Sequence, residues 1–221
     1  MFQSLINLCI KFFEFIHVAV NSVIPNQNIA FGLTIILVTL IIRIVLLPLN
    51  IKQTKSSIQM SAVQPLTKKI QDKYKSDPKK SQEEVMKLYK EKGVSPFGGC
   101  LPLIVQYPIL IALYYVFNNL QGINGVSFLW IHDLASRDII LALFSGVTTY
   151  FSGNLMTSTA GGDVAQSKTN RTMNIGMSVF MTFICWSLKS ALVLYWTINN
   201  LVQIIQTILI KRYEENKNNK A

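Results

Sequence analysis

The sequence predicts an all-α polytopic membrane protein in which five transmembrane helices surround a polar groove, N-out and C-in, with a cytoplasmic helical hairpin. Of its 221 residues, 50% are hydrophobic and 14% are charged, whereas a soluble domain carries about 25% charged residues. Several apolar segments approach the roughly 20 residues that a helix needs to cross a bilayer. The excess of Lys and Arg over Asp and Glu falls mainly in one polar segment, residues 51–97, as expected for a cytoplasmic loop.

Residues 1–24 are predicted to form an amphipathic helix that lies in the membrane interface. The segment is apolar but is interrupted by Lys11, Glu14 and His17, so that a polar helical face opposes an aromatic one. It lacks the basic start and the uninterrupted apolar core of a signal peptide.

The first span is predicted over residues 29–50 and contains one charged residue, Arg43. An arginine near the middle of a membrane costs about 2.5 to 3.5 kcal/mol on insertion scales, and this strongly apolar segment can offset that cost. Two explanations for the arginine stay open. Its side chain could extend along the helix to the cytoplasmic interface near Asn50, or a water-accessible groove could hydrate it.

Residues 51–97 are predicted to form a basic cytoplasmic helical hairpin, because they hold 11 Lys and Arg against five Asp and Glu. After a first helix, a turn is expected at 76–80, where an Asp-Pro pair disfavours helix. The spacing of Ser81 and Glu84 matches a capping box for a second helix, which Gly93 would end. A solvated charged loop is the alternative.

Four further spans are predicted over residues 99–118, 138–156, 173–188 and 190–210, followed by a basic tail at 211–221. Lys and Arg are frequent in the hairpin and the tail but scarce after the second and fourth spans. Because positively charged loops stay in the cytoplasm, the N-terminus is expected outside and the C-terminus inside.

Each predicted span carries a row of polar side chains at helical spacing. The groove candidates among them are Thr39 and Arg43 on the first span, Gln106, Tyr107 and Asn118 on the second, Ser178 and Thr182 on the fourth, and Trp196, Asn199 and Gln203 on the fifth. Taken singly, such residues serve more often as hydrogen-bonded contacts between helices, worth about 0.6 to 2 kcal/mol each.

Taken together, the polar rows favour a common water-accessible cavity around Arg43. No Asp or Glu lies in the interior of a predicted span. An arginine without an internal acidic partner should find water, backbone carbonyls or an acidic group on a visiting molecule. The sequence therefore predicts that the acidic partner of Arg43 comes from outside the chain.

The sequence shows no pattern typical of an enzyme, a cofactor site or a metal centre. Its cysteines, Cys9, Cys100 and Cys185, lie in or beside apolar segments, and its two histidines have no clustered ligands around them. Nucleotide-binding and nucleophile motifs do not occur in the sequence. The basic charge is assigned to the positive-inside bias, so no DNA partner is expected.

Three segments together resemble the YidC family of membrane protein insertases, in its shorter Gram-positive form. They are LIIRIVLLPL at 40–49, LYKEKGVSPFGGCLPLIVQYPILIALY at 88–114 and ALVLYWTINNLVQIIQ at 191–206. The resemblance covers about residues 29–212. It departs from the family where a Pro-Ala-Gly type of turn is usual, since this chain has Leu188-Lys189-Ser190-Ala191 there.

The resemblance implies a bacterial plasma membrane protein with five transmembrane helices around a hydrophilic groove, open to the cytoplasm and the lipid. It implies that the family's groove arginine corresponds to Arg43. Its implied partners are nascent membrane proteins, ribosomes, the lipid bilayer and, for some members, the Sec translocon.

The residues alone leave two other functions open. One is a small-anion transporter or channel that uses Arg43 as its binding site, against which the sequence shows no internal repeat. The other is a membrane anchor whose basic loop 51–97 binds ribosomal RNA or anionic lipid.

Overall fold

The computed structural model describes residues 2–95, 101–120, 122–157 and 164–218, and this part of the chain is all-helical, as the sequence predicts. An isolated β-bridge pairs Phe128 with Ile131. The described helices are α1 (Phe2–Val23), α2 (Gln27–Val45), α3 (Leu47–Lys73), α4 (Pro78–Glu91), α5 (Leu101–Asn119), α6 (Ile139–Thr157), α7 (Val164–Ser187) and α8 (Ser190–Asn218).

Four segments of the described chain are long and apolar enough to cross a membrane. They are Ile6–Val23, Gln27–Val45, Ile139–Met156 and Ser190–Glu214. The first lies in α1, for which the sequence predicts an interfacial position. The beginning of the predicted second span, at residues 99 and 100, lies outside the described residues.

Helix α1 is held against the start of α2 and the end of α5 by aromatic contacts. The ring of Phe13 is buried and packs edge-on against Phe117, with centroids 5.7 Å apart, and lies 6.5 Å from the ring of Phe31. The ring of His17 stacks on Phe31, with centroids 3.9 Å apart, and its Nδ1 lies 3.2 Å from the hydroxyl of Thr34.

A break separates the apolar helix α2 from the polar helix α3. Asn26 caps α2, because its side chain accepts hydrogen bonds from the amides of Asn28 and Ile29, which satisfies donors at a helix start. Helix α2 ends at Val45, and Pro48, which has no amide hydrogen, lies in the first turn of α3. The boundary predicted at residue 50 therefore falls inside α3.

Helices α3 and α4 pack against each other as a hairpin, but α4 begins before the predicted capping box. Asp77 is its N-cap, and its carboxylate accepts from the Lys80 amide at 3.0 Å. Pro78 occupies the first helical position, where a missing N–H costs nothing. The hairpin's second helix ends as predicted, because Gly93 adopts a φ of 63° just beyond it.

The loop between α5 and α6 closes one end of the helix bundle. We call the buried apolar residues of this loop the loop cluster; they are Ile123, Val126, Phe128, Ile131 and Leu134. The ring of Phe128 lies directly over Gly32 of α2, where a Cβ atom would overlap it. The amides of Ser190 and Ala191 donate to carbonyls of Ser136 and Leu134, and these bonds attach the start of α8 to the loop.

Asp133 organises this loop, and its removal is expected to loosen the closed end. Its carboxylate accepts hydrogen bonds from the amides of Gly125 and Ala135 and from the Ser136 hydroxyl, at 3.0, 2.9 and 2.6 Å. Partial burial opposes ionisation of Asp133, but these bonds outweigh it and, with the nearby charge of Lys189, hold the pKa of this carboxyl below its usual range.

We expect Asp133→Asn to lower the free energy of unfolding by about 1 kcal/mol, since each lost or weakened bond contributes about that much. A depressed pKa stabilises the folded state above the ordinary carboxyl range, and this contribution disappears as the pH falls through the lowered pKa. Unfolding in detergent at neutral and acidic pH measures both effects. A difference between wild type and variant that persists at acidic pH would contradict this role of the charge.

Candidate functional site

A cavity of about 460 Å³ lies between α3, α6, α7 and α8, towards the end of the bundle opposite the loop cluster. Its lining combines polar side chains from several helices with four methionines. The residues concerned are Arg43, Ser57, Met60, Ser61, Gln64, Gln106, Thr149, Ser152, Gly153, Met156, Met173, Asn174, Met177, Trp196, Asn199, Asn200 and Gln203.

The guanidinium of Arg43 is held by amide oxygens of α8, and the residue as a whole is only 6% exposed. Its Nε donates to Oδ1 of Asn199 and its Nη2 to the backbone oxygen of the same residue, both at 2.7 Å. Its Nη1 donates to Oε1 of Gln203 and, at 3.4 Å, to Oε1 of Gln206. This arrangement favours a fixed buried charge over a side chain that reaches the membrane interface.

Arg43 has no carboxylate partner among the described residues. The two salt bridges in this part of the chain join Lys55 to Glu214 and Lys75 to Asp72. Hydrogen bonds from a charged donor contribute about 1.5 to 3 kcal/mol each, so neutral amides can hold the guanidinium in place. They leave its positive charge without a counterion at the cavity wall.

Polar side chains of the cavity lining form a connected hydrogen-bond network centred on α8. Asn199 donates to Gln106 of α5 at 3.3 Å, and Gln106 donates to the buried hydroxyl of Tyr195 at 2.9 Å. On the other side of α8, Asn200 donates to the hydroxyl of Thr149 at 2.8 Å, and the indole of Trp196 donates to it at 3.1 Å. Linked polar groups of this kind are fixed in position before any ligand arrives.

Four methionines also line the cavity, and one of them accepts a hydrogen bond from the Gln203 amide at 3.7 Å. None of the four was among the groove residues predicted from the sequence. They are Met60 on α3, Met156 on α6, and Met173 and Met177 one turn apart on α7. Methionine is unbranched and polarizable, so it adapts its shape to different apolar partners. The helical spacing of Met173 and Met177 in the sequence could have indicated that they share one face of a helix.

Helix α3 also contributes a buried polar row to the cavity, although the sequence predicts a basic cytoplasmic hairpin there. Ser57, Ser61 and Gln64 lie at i, i+4 and i+7 on one face and line the cavity, and both serines are buried. In the sequence, the helical spacing of these polar side chains could have indicated that they share a buried face.

Five of the ten groove candidates line this cavity, and the other five lie elsewhere. The five in the lining are Arg43, Gln106, Trp196, Asn199 and Gln203. Thr39 is buried and its hydroxyl donates to the Ile35 carbonyl within α2. Tyr107 is 62% exposed on the surface of α5. Asn118 lines a different cavity, near the loop end.

Ser178 and Thr182 lie where α7 packs closely on α6. Their hydroxyls donate to backbone oxygens one turn earlier in α7, at 2.7 and 2.8 Å. A Cβ atom at Gly146 of α6 would overlap the Thr182 hydroxyl, and one at Gly153 would lie 2.8 Å from the Asn174 side chain. These positions follow the small-residue packing typical of membrane helices.

The fold and the cavity define a helical membrane protein with a charged, polar recess inside its bundle. The family model described as "60Kd inner membrane protein" matches residues 23–218. The chain belongs to this family and is a multi-pass protein of the bacterial plasma membrane.

Named relatives cover nearly the whole chain. "Membrane protein insertase YidC" of Clostridium tetani (strain Massachusetts / E88) is 56% identical over 209 residues, covering 95% of this chain and 94% of the relative. "Membrane protein insertase MisCA" of Bacillus subtilis (strain 168) is 40% identical over 194 residues, covering 85% and 73%.

A solved structure supports the same assignment. "Active YidC insertase crystal structure with the first transmembrane domain resolved" matches with a TM-score of 0.71 and 33% sequence identity, over 94% of this chain. The match covers 46% of the solved chain, so this chain corresponds to about half of it.

Proposed function

We infer that the chain is a membrane protein insertase, which takes nascent membrane proteins into the cavity around Arg43 and releases them into the lipid bilayer. The observation that carries the mechanism is the buried guanidinium held by neutral amides of Asn199 and Gln203, with no carboxylate partner among the described residues. The function requires no covalent chemistry.

The buried charge attracts acidic residues of a client more strongly than a charge in water would. Two opposite charges 4 Å apart attract each other by about 1 kcal/mol in bulk water and by about 4 kcal/mol at an effective dielectric constant of 20. A client carboxylate that reaches the cavity therefore gains a partner in Arg43. The polar walls reduce the desolvation cost of the backbone that accompanies it.

The methionines that line the cavity suit the apolar part of the same client. Nascent membrane helices differ in sequence, and the flexible side chains of Met60, Met156, Met173 and Met177 can adapt to different partners. Transfer of each apolar helix into lipid then supplies the driving force, since burial of apolar surface is favourable by about 25 cal/mol per Å².

We further propose five transmembrane helices, α2 and α5 to α8, with the N-terminus outside and the C-terminus inside. The basic hairpin α3–α4 supports this orientation, and α1 then lies against the outer end of α2. Single cysteines in a variant without native cysteines test it. In intact cells, an impermeant maleimide should label Asn124→Cys and leave Ser76→Cys unlabelled; the reverse pattern would exclude this orientation.

The basic cytoplasmic surface suits a ribosome that delivers the client. Most lysines of the hairpin are solvent-exposed, and the Lys55–Glu214 pair, 2.8 Å apart, joins the hairpin to the last helix. Ribosomal RNA is negatively charged, so binding here should weaken as salt rises. Cooperation with the Sec translocon is proposed from the family resemblance.

Reconstitution in liposomes tests the function against the small-anion transporter. Proteoliposomes should insert a single-span client with an acidic outer segment, and they should not raise the flux of chloride or phosphate above that of empty liposomes. Anion flux without client insertion would favour the transporter.

A further inference from the structure

A second cavity, of about 550 Å³, lies at the loop end of the bundle, away from the cavity around Arg43. It is formed by the end of α5, the loop before α6 and the junction between α7 and α8. Its polar lining includes Tyr114, Asn118, Arg137, Ser187 and Lys189. We call it the loop-end pocket.

The charges that line the loop-end pocket are both positive. Lys189 is half-buried and donates to the Phe117 carbonyl at 3.3 Å, which satisfies one of its three donors. Arg137 is exposed. Neither takes part in a salt bridge within the described part of the chain.

The nearby carboxylates are engaged in other contacts. Asp133 accepts hydrogen bonds from Gly125, Ala135 and Ser136. Asp138 accepts from the Leu141 amide at 2.6 Å, at the start of α6. Neither residue lines the pocket, although the charge of Asp133 interacts with that of Lys189. The groups that line the pocket itself are therefore two cations and neutral polar side chains.

Beside the pocket, the helix surfaces are apolar and exposed. On α7, Phe183 is 66% exposed and Trp186 is 52% exposed, as expected for side chains that face lipid. On α5, Tyr114 is half exposed at the pocket rim, and tyrosines are enriched at the level of lipid headgroups. A ligand with a charged head and an apolar tail fits both surfaces.

We propose that the loop-end pocket binds the headgroup phosphate of an anionic phospholipid, with its acyl chains along the exposed surface of α7. Lys189 and Arg137 bind the phosphate oxygens. The Asn118 amide, which donates one N–H to the Tyr114 carbonyl, donates its other N–H to the headgroup. Two cations favour an anionic headgroup over a zwitterionic one, whose own ammonium group they would repel. This site is independent of the insertase function and gives a role to Lys189.

Native mass spectrometry of the full chain, with phosphatidylglycerol or phosphatidylcholine added, tests the proposal. Wild type should retain phosphatidylglycerol preferentially, and R137Q/K189Q should lose about tenfold or more of this preference, since each cation near an anionic headgroup contributes about 1 kcal/mol. The control K11Q removes an exposed cation of α1 and should behave as wild type.

A second variant distinguishes loss of the binding site from misfolding of the double variant. Ser187→Glu adds a negative charge at the pocket and should weaken phosphatidylglycerol binding while the unfolding temperature stays near that of wild type. An equal loss in K11Q and R137Q/K189Q, or no loss in either, would overturn the site.

The same experiment distinguishes other ligands. Displacement of the lipid by millimolar inorganic phosphate would show that the pocket binds free phosphate and would overturn the lipid assignment. A photocrosslinker at Leu188 that captures a nascent chain in place of lipid would overturn it too. Neither outcome affects insertion tests at Arg43.

Discussion

Replacing Arg43 with Ala is expected to reduce insertion of clients with acidic outer segments by about 5- to 150-fold. This range corresponds to a loss of about 1 to 3 kcal/mol of attraction between the guanidinium and a client carboxylate in a partly desolvated cavity. Clients without acidic outer segments should be affected little. Insertion into proteoliposomes, measured by protease protection, gives the rates.

Two variants test whether insertion depends on a positive charge alone and on its placement at residue 43. Arg212→Ala removes an exposed arginine near the end of α8 and should insert both kinds of client as wild type does. Arg43→Lys keeps the charge but cannot reproduce the fork that contacts both oxygens of Asn199, so we expect an intermediate rate. Undiminished insertion of acidic clients by Arg43→Ala would refute the proposed attraction.

Gly146→Val is expected to lower the free energy of unfolding by about 2 to 3 kcal/mol, the upper part of the range for overpacking. A Cβ atom at this position overlaps the Thr182 hydroxyl, and that hydroxyl is bonded to the Ser178 carbonyl. Helix α7 would have to move away from α6. Because both helices line the cavity, insertion should fall as well.

Gly176→Val is the matched control for this prediction. Gly176 lies on α7, and nothing lies within 4 Å of a Cβ atom placed there. The same substitution should therefore leave stability close to that of wild type. Thermal unfolding in detergent compares the two variants. Equal stabilities would show that Gly146 is not required for the close packing of α6 on α7.

The charged and amphipathic features of the fold were predictable from the sequence because they follow from spacing and composition. A polar row on α8 and the placement of Arg43 in an apolar helix predicted that Arg43, Asn199 and Gln203 face a common cavity. The direct hydrogen bonds from the guanidinium to these amides were not predicted. Helix boundaries were less predictable. The start of α4 was misplaced because an Asp-Pro pair can either interrupt a helix or begin one, and Asp77 begins it.

The sequence does not determine which face of each helix points into the cavity. Ser178 and Thr182 form a polar row as regular as that of α8. Because Gly146 is small, however, α6 packs closely against the face of α7 that carries them. Asn118 shares a helical face with other polar residues of α5 but lies too near the loop end to reach Arg43. The contribution of α3 to the cavity was not predicted, because the basic charge of the hairpin indicated a solvent-exposed segment.

Entry of clients into the cavity around Arg43 is tested most directly by site-specific photocrosslinking to a stalled nascent membrane protein. Ser152 of α6 lines the cavity, and Val147 of the same helix is exposed on its outer surface. A photocrosslinker at Ser152 should capture the nascent chain, most strongly when the client's acidic segment reaches the membrane, and one at Val147 should not. Capture from Val147 with none from Ser152 would contradict the claim that clients enter the cavity around Arg43.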